Sequence, residues 1–182
     1  PLDGDIDPAQ LTQALAKGAR DLGAKIVRFC PVTAVEWLGD EWKITTPNGE
    51  IRAEYVVNAA GYRAGELGKM FGRDVPCVSL AHQYLITEPI AELTARDEKL
   101  PLLRDPDSSY YLRQEKDGLL LGPYEKNCRA HWLSSDDPMP DDFSFQLYND
   151  DLERLEWYIE DACARVPILG TAGITRVVNG PI

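Results

Sequence analysis

Apolar residues recur at helical spacing near the start of the chain. Leu11, Leu15 and Ala19 fall on one face, with Leu22 one turn on. Asp7 is placed to cap this helix, Pro8 suits its first position and Gly23 offers the stop. The short apolar run 24–29 (AKIVRF) then predicts a strand. Segments 33–39 and 41–47 predict two more, separated by Gly39-Asp40. Asn48-Gly49 is a stronger hairpin signal and leads into 50–61. Residues 33–58 therefore predict a three-stranded antiparallel meander. Its last strand is continuously apolar at Tyr55, Val56 and Val57, as a strand buried on both faces would be.

Residues 64–72 predict a short helix and 77–88 a long strand with partial alternation. A polar, proline-punctuated stretch covers 89–108. Segments 109–114 and 118–124 predict a strand pair across Glu115-Lys116-Asp117. Residues 126–143, rich in Asp and Pro, read as loop. A second helix is predicted over 149–165, capped by Asn149 or Asp150, with Leu152, Leu155, Trp157 and Ile159 as its apolar positions. The chain closes on a strand-like ITRVV and a turn. This order fits an α+β, or mixed α/β, fold and fits a doubly wound parallel sheet poorly.

At 182 residues and 44% hydrophobic, the chain can build a core in one domain or two small ones. Its net charge of −11 argues against nucleic acid or an anionic membrane as partner, since both select positive patches. That charge identifies no partner, because most acidic surfaces are simply solvated. No apolar run approaches the roughly 20 residues of a membrane span, and no signal peptide is recognisable. The first residue is Pro1, so the chain is expected to begin inside a longer one. Cys30, Cys77, Cys128 and Cys163 are widely spaced without a CxxC pair. They predict no metal site, only buried thiols in a reducing cytoplasm.

Two places carry candidate chemistry. In 56–68 (VVNAAGYRAGELG), a strand ends in Ala59-Ala60-Gly61 and turns into a helix. Small residues there let another group approach the backbone, and ligands of open α/β sheets bind at such strand ends. A tight turn with nothing bound fits the same residues equally well. The other place is the apolar strand SLAHQYLIT, which holds His82. The second histidine, His131, lies in the loop CRAHWLSS and is expected at the surface.

The run NAAGYRAGELG resembles the second flavin-contacting segment of the D-amino-acid-oxidase-like flavoproteins. The run DGDIDPAQL resembles the stretch that precedes it in that family. LAHQYLITEPI and LPLLRDPDSSYYLRQEKDGLLLGPYE resemble the substrate-domain strands of the dimethylglycine and sarcosine dehydrogenases and dimethylglycine oxidase. The final NGP is similar to the start of the family's N-G-P/I-x-x-F-T-P-D segment. The resemblance covers essentially the whole chain, in family order.

It implies an FAD enzyme that oxidises the C–N bond of an N-methylated amino acid, dimethylglycine or sarcosine. A hydride would pass to the flavin and the resulting iminium would be hydrolysed. Residues 1–75 would then be part of an FAD-binding domain and 76–182 a substrate domain truncated at its C-terminus. The chain has no GxGxxG loop to cradle the FAD pyrophosphate. It is therefore expected to be an interior piece, inactive by itself and unable to retain FAD. The alternatives are a D-amino-acid, glycine or proline enzyme of the same family, or a folded module without activity.

The same resemblance assigns residues. His82 would line the substrate pocket, positioning the amine or taking a proton; the plainer reading is a hydrogen-bonded core histidine. Matching Arg104 and the following Asp-Pro-Asp places Tyr111 at the family's pocket tyrosine, against the plainer reading of a packed aromatic. Arg113, two residues on, would share its face and suit a carboxylate, although a surface ion pair explains it too. Tyr84 shares a face with His82, and Glu125 is a weaker pocket candidate. Val32 and Thr33 would pass beside the adenine, and Asn58, Ala59, Ala60 and Gly61 would contact the pyrophosphate region. A homodimer through exposed edges is a further expectation. The location expected is the cytoplasm, or the mitochondrial matrix in a eukaryote.

Overall fold

The computed structural model describes residues 4–133, 136–144 and 146–182. Beyond Gly4 the chain divides into two compact units, Asp5–Cys77 and Val78–Ile182. Among the described residues no helix is long and apolar enough to cross a membrane.

In the first unit, α1 spans Pro8–Asp21. The Asp7 carboxylate accepts the Gln10 amide at 2.7 Å, and Gly23 takes the left-handed turn at φ 93°. The apolar stripe lies where its spacing put it, yet no residue of α1 is buried. The meander forms from β1 (Ala34–Trp37), β2 (Trp42–Thr46) and β3 (Gly49–Ala53). Val35, Ile44 and Ile51 form one cross-strand row. Trp42 packs 4.9 Å from both Trp37 and Phe71, and Phe71 closes α2 (Ala64–Met70).

Two expectations for this unit are corrected. Residues 24–29 form no strand, and β3 stops at Ala53 instead of running to 61. Tyr55 is 87% and Val57 85% exposed, so the run is not buried on two faces. The physical reason is common to both segments. A strand exists only through ladder partners, and no described strand pairs with either stretch.

The second unit is built on β4 (Ser79–Thr87). It pairs antiparallel with β7 (Gly118–Pro123), a two-residue β8 (Ala130–His131) and β9 (Ile174–Pro181). Outward from β7 lie β6 (Tyr110–Glu115) and β5 (Leu103–Asp105). The order β5-β6-β7-β4-β8, with β9 on β4, is antiparallel throughout. Leu85, Leu121 and Leu112 form a row across three strands. Against this face pack Leu93 of α3 (Ala91–Thr94), Leu155, and Tyr158 and Ala162 of α4 (Glu156–Arg165).

Here the sequence reading needs finer corrections. Residues 89–108 hold α3 and β5, too short to announce themselves. The helix predicted over 149–165 starts as a 3-10 turn, Leu152–Leu155, without a side-chain cap from Asn149 or Asp150. Its buried positions are Leu155, Tyr158 and Ala162; Leu152 and Trp157 are exposed. β9 continues through Asn179, Gly180 and Pro181 instead of turning after Val178. None of the four cysteines is fully buried and Cys77 is exposed, contrary to the expectation of buried thiols; all four are free.

Candidate functional site

Strand alternation decides which side chains of the second unit can act together. On β4, Ser79, Ala81, Gln83, Leu85 and Thr87 are buried, while Leu80, His82, Tyr84 and Ile86 are half-buried on the other face. The same alternation on β6 buries Tyr110 and Leu112 and leaves Tyr111 and Arg113 half-buried. Residues directly opposite share a face. Leu85–Leu121–Leu112 is the core row, so Ile86–Leu120–Arg113 and Tyr111–Gly122 lie on the reverse. On β9, Gly180 lies opposite His82 and Val178 opposite Tyr84. His82, Tyr84, Tyr111 and Arg113 therefore project from one face of one sheet.

Contacts on that face are specific. The Tyr111 ring lies 5.8 Å from that of Tyr124. It also lies across Gly122, where a side chain would run into the ring. Burial pushes the Tyr111 phenol above its ordinary value, opposed by the nearby Arg113 charge; Tyr84 adds to the rise. The phenol thus stays neutral and can donate a hydrogen bond. Arg113 pairs with Glu115 at 2.8 Å, the surface ion pair that its position also allowed.

Among the cofactor residues, the Thr33 amide donates to the Thr45 carbonyl at 2.9 Å and fastens the entry to β1. Val32 precedes it and is half-buried. Asn58 organises the turn after it: its Nδ2 donates to the Ala64 carbonyl at 2.9 Å and its Oδ1 accepts the Ala60 amide at 3.2 Å. Ala59, Ala60 and Gly61 are exposed. Gly61 has φ 58° and nothing within 4 Å of where a Cβ would stand.

The whole chain, residues 1–182, matches the family of FAD dependent oxidoreductases, DAO. This chain belongs to that family. It is 46% identical to dimethylglycine dehydrogenase, mitochondrial, of Mus musculus over 187 residues, covering 100% of this chain and 21% of that protein. It is 37% identical to sarcosine dehydrogenase, mitochondrial, of Homo sapiens, covering 100% of this chain and 19% of that one. The crystal structure of L-proline dehydrogenase from P. horikoshii superposes with a TM-score of 0.75 at 25% identity, covering 100% of this chain and 45% of that one. The chain thus spans about a fifth of the length of the curated relatives.

The DAO membership implies FAD, and the Asn58–Gly61 turn fits such a group. It is open, small and held in shape by its own asparagine, so a bulky phosphate-bearing ligand can approach the backbone. No cluster of metal-ligating side chains exists among the described residues.

Sequence reasoning missed two neighbours of Tyr111. Gly122 makes the floor under Tyr111, and Tyr124 stands beside it. Glu125, the weaker pocket candidate, is 6% exposed and accepts the Gln83 amide of β4. The signal available was an acid closely following an apolar strand in GLLLGPYE. His131, expected at the surface, is half-buried and stacks 4.3 Å from the Tyr148 ring. It lines a cleft of about 450 Å³ with Arg129, Arg154 and Asn179. Its two-residue strand brings it inward by pairing Ser79 with His131.

Proposed function

We propose that this chain supplies the substrate-side sheet and one cofactor contact of an enzyme that oxidises the C–N bond of dimethylglycine or sarcosine. Val78–Ile182 is the substrate unit in this reading and Asp5–Cys77 part of the FAD-binding one. The observation that carries it is the gathering of His82, Tyr84, Tyr111 and Arg113 on one face of one sheet. The similarity to proteins named for these two substrates supports it.

Each residue has a physical task. Arg113 can turn from Glu115 to a substrate carboxylate, for which its planar fork is suited. Tyr111, neutral and held over Gly122, donates a hydrogen bond to the substrate and fixes its orientation. Tyr84 walls the same face. His82 holds the amine or takes its proton. Asn58, Ala59, Ala60 and Gly61 would receive FAD by close backbone approach, and Val32 and Thr33 would hold its adenine side. When bound, FAD supplies the hydride acceptor that no side chain can provide. The 182-residue chain by itself is proposed to hold no FAD and to be inactive, because it lacks a GxGxxG cradle.

Single replacements in the full-length protein test this reading. His82→Gln and Tyr111→Phe are each expected to slow flavin reduction by dimethylglycine on the order of 10²-fold, the scale of a lost positioned proton-transfer or orienting group. Unchanged rates in both variants would remove their roles. A substrate panel including D-amino acids, glycine and proline separates the other substrate classes of this family. A yellow chromophore bound stoichiometrically by the 182-residue chain would contradict the inactivity proposal.

A further inference from the structure

The strand that carries His82 and Tyr84 has a gap beside it. Along one edge of β4, β9 pairs from Ala81 to Thr87. Along the other edge, β8 pairs at Ser79 and Leu80 and β7 at Leu85 and Ile86. Strand amides alternate between edges. The Ala81 amide reaches the Arg129 carbonyl at 2.7 Å. The next amide on that edge belongs to Gln83, where neither β7 nor β8 pairs.

Glu125 fills the gap. It lies two residues past β7, and its side chain is 3% exposed. The Gln83 amide donates to its Oε1 at 3.1 Å. Arg154, in the 3-10 turn that leads into α4, contacts Oε2 at 3.0 Å and donates from Nη2 to Oε1 at 3.4 Å. The Gln83 side chain anchors the same turn. Its Nε2 donates to the Asp151 carbonyl at 2.6 Å and its Oε1 accepts the Asp151 amide at 3.2 Å. Glu125, Gln83, Asp151 and Arg154 thus form one network behind β4, buried at Glu125 and Gln83 and half-buried at Asp151 and Arg154, while His82 and Tyr84 project from the opposite face.

We propose that Glu125 is a positioning residue. Its carboxylate replaces the absent rung of the β4 ladder and fixes the backbone from which His82 and Tyr84 project. The assignment rests on reading that face as the substrate face. A side-chain acceptor suits this gap because Oε1 takes both the Gln83 amide and Arg154 Nη2, while Oε2 lies beside the Arg154 charge. Burial pushes the Glu125 carboxyl above its ordinary value, against the opposing pull of Arg154, the Gln83 amide and, more weakly, His82. The site is therefore expensive to build and is held together by its partners.

Three variants of the full-length protein test the assignment: Glu125→Ala, Glu125→Asp and Glu125→Gln. The first two withdraw the oxygen from Gln83, and the aspartate keeps the charge. The glutamine keeps an acceptor oxygen in place and loses the charge. Exchange of the Gln83 amide is expected to speed up about tenfold or more in Ala and Asp and little in Gln. The limiting rate of flavin reduction should fall by roughly 10²-fold in Ala and Asp, with KM within about threefold, and Gln should recover most of the rate.

Unchanged Gln83 exchange in Ala and Asp overturns the proposal. A lower melting temperature with an unchanged reduction rate also overturns it, leaving only a structural role. Gln as slow as Ala despite slow Gln83 exchange overturns it in favour of a role for charge. If Ala does not fold, Asp decides the same comparison. If the parent flavin is reduced by no N-methylated amino acid, the substrate reading fails by itself. Glu125 is then judged by Gln83 exchange together with the imidazole nitrogen shifts of His82 in Asp, and unmoved signals overturn it.

Discussion

In Val78–Ile182, Leu85, Leu121 and Leu112 meet across three strands, and Leu155, Tyr158 and Ala162 pack onto the same face. In Asp5–Cys77, only Ile44, Thr46 and Gly68 are buried. Leu15, Leu22, Val27, Phe29, Tyr55 and Val57 lie exposed there. Both units follow the same periodicities: a helical stripe in α1, alternation in the strands. The difference shows what periodicity specifies. It says which face an element must cover, and it does not say that a cover lies within the same stretch of chain. Helices and strands take most of their stability from such packing, so equal local order hides unequal stability.

The largest effect that separates the units is a core truncation. Leu121→Ala should destabilise Val78–Ile182 by about 2–5 kcal/mol, since Leu121 is completely buried among well-packed neighbours. Ile51→Ala, at a half-exposed position of the meander, should cost only about 0.5 kcal/mol. Denaturant unfolding followed by hydrogen exchange in each unit measures both. Equal losses would break the comparison, because they would mean that the meander is covered as tightly as the leucine row.

Glycine replacements sharpen it by giving opposite signs. Gly18 sits within α1 with open space where a Cβ would stand. Gly18→Ala should stabilise by about 0.5–1 kcal/mol through helix propensity. At Gly122 the Tyr111 ring occupies that space. Gly122→Ala should cost about 1–3 kcal/mol and turn Tyr111 away from the face it shares with Tyr84. Thermal unfolding of the two variants reads the signs. A neutral Gly122→Ala would show that Tyr111 is not held by that strand.

What could be read in advance follows the same division. The α1 helix, the two hairpins of the meander and the β6–β7 pair were legible because caps, Gly turns and alternation are local. The strand over 24–29 was not there because a ladder partner is a tertiary fact that apolar residues alone do not supply. Tyr55 and Val57 misled for that reason: their composition is that of a central strand, and nothing described pairs with them. The DAO membership was legible from motifs in order, as the match over residues 1–182 shows. The face shared by Tyr111 and Arg113 follows from a two-residue spacing. The role of Glu125 was hidden, because its acceptor duty depends on a gap between β7 and β8 that no local pattern encodes.

The smallest predicted effect is a contrast in pH response. In the meander, Lys43 pairs with Glu36. That hydrogen bond, then the attraction between the charges, raises its pKa above the ordinary lysine value. Its contribution is fully present below about pH 10.5 and is lost as pH rises through the folded value. His131 works in the other sense. Burial first, and then the charge of Arg129, lowers its pKa; Asp137 opposes them and Arg154 adds to the fall. The unfolded chain therefore takes the proton first, from about pH 6.5 downward, and stability falls over that interval. Glu125, raised by burial, has the opposite slope within the same unit, so the parent must be compared with a variant at each pH. His131→Phe retains a ring against Tyr148 and removes the titration. Relative to it, the parent should lose stability as pH falls from about 7.5 to about 5.5, whereas Lys43→Met should show no slope until about pH 10. Thermal unfolding at intervals across both ranges measures the two differences. A parent-minus-variant difference for His131 that stays constant below pH ~6.5 would mean that burial and Arg129 do not hold the imidazole below its ordinary value.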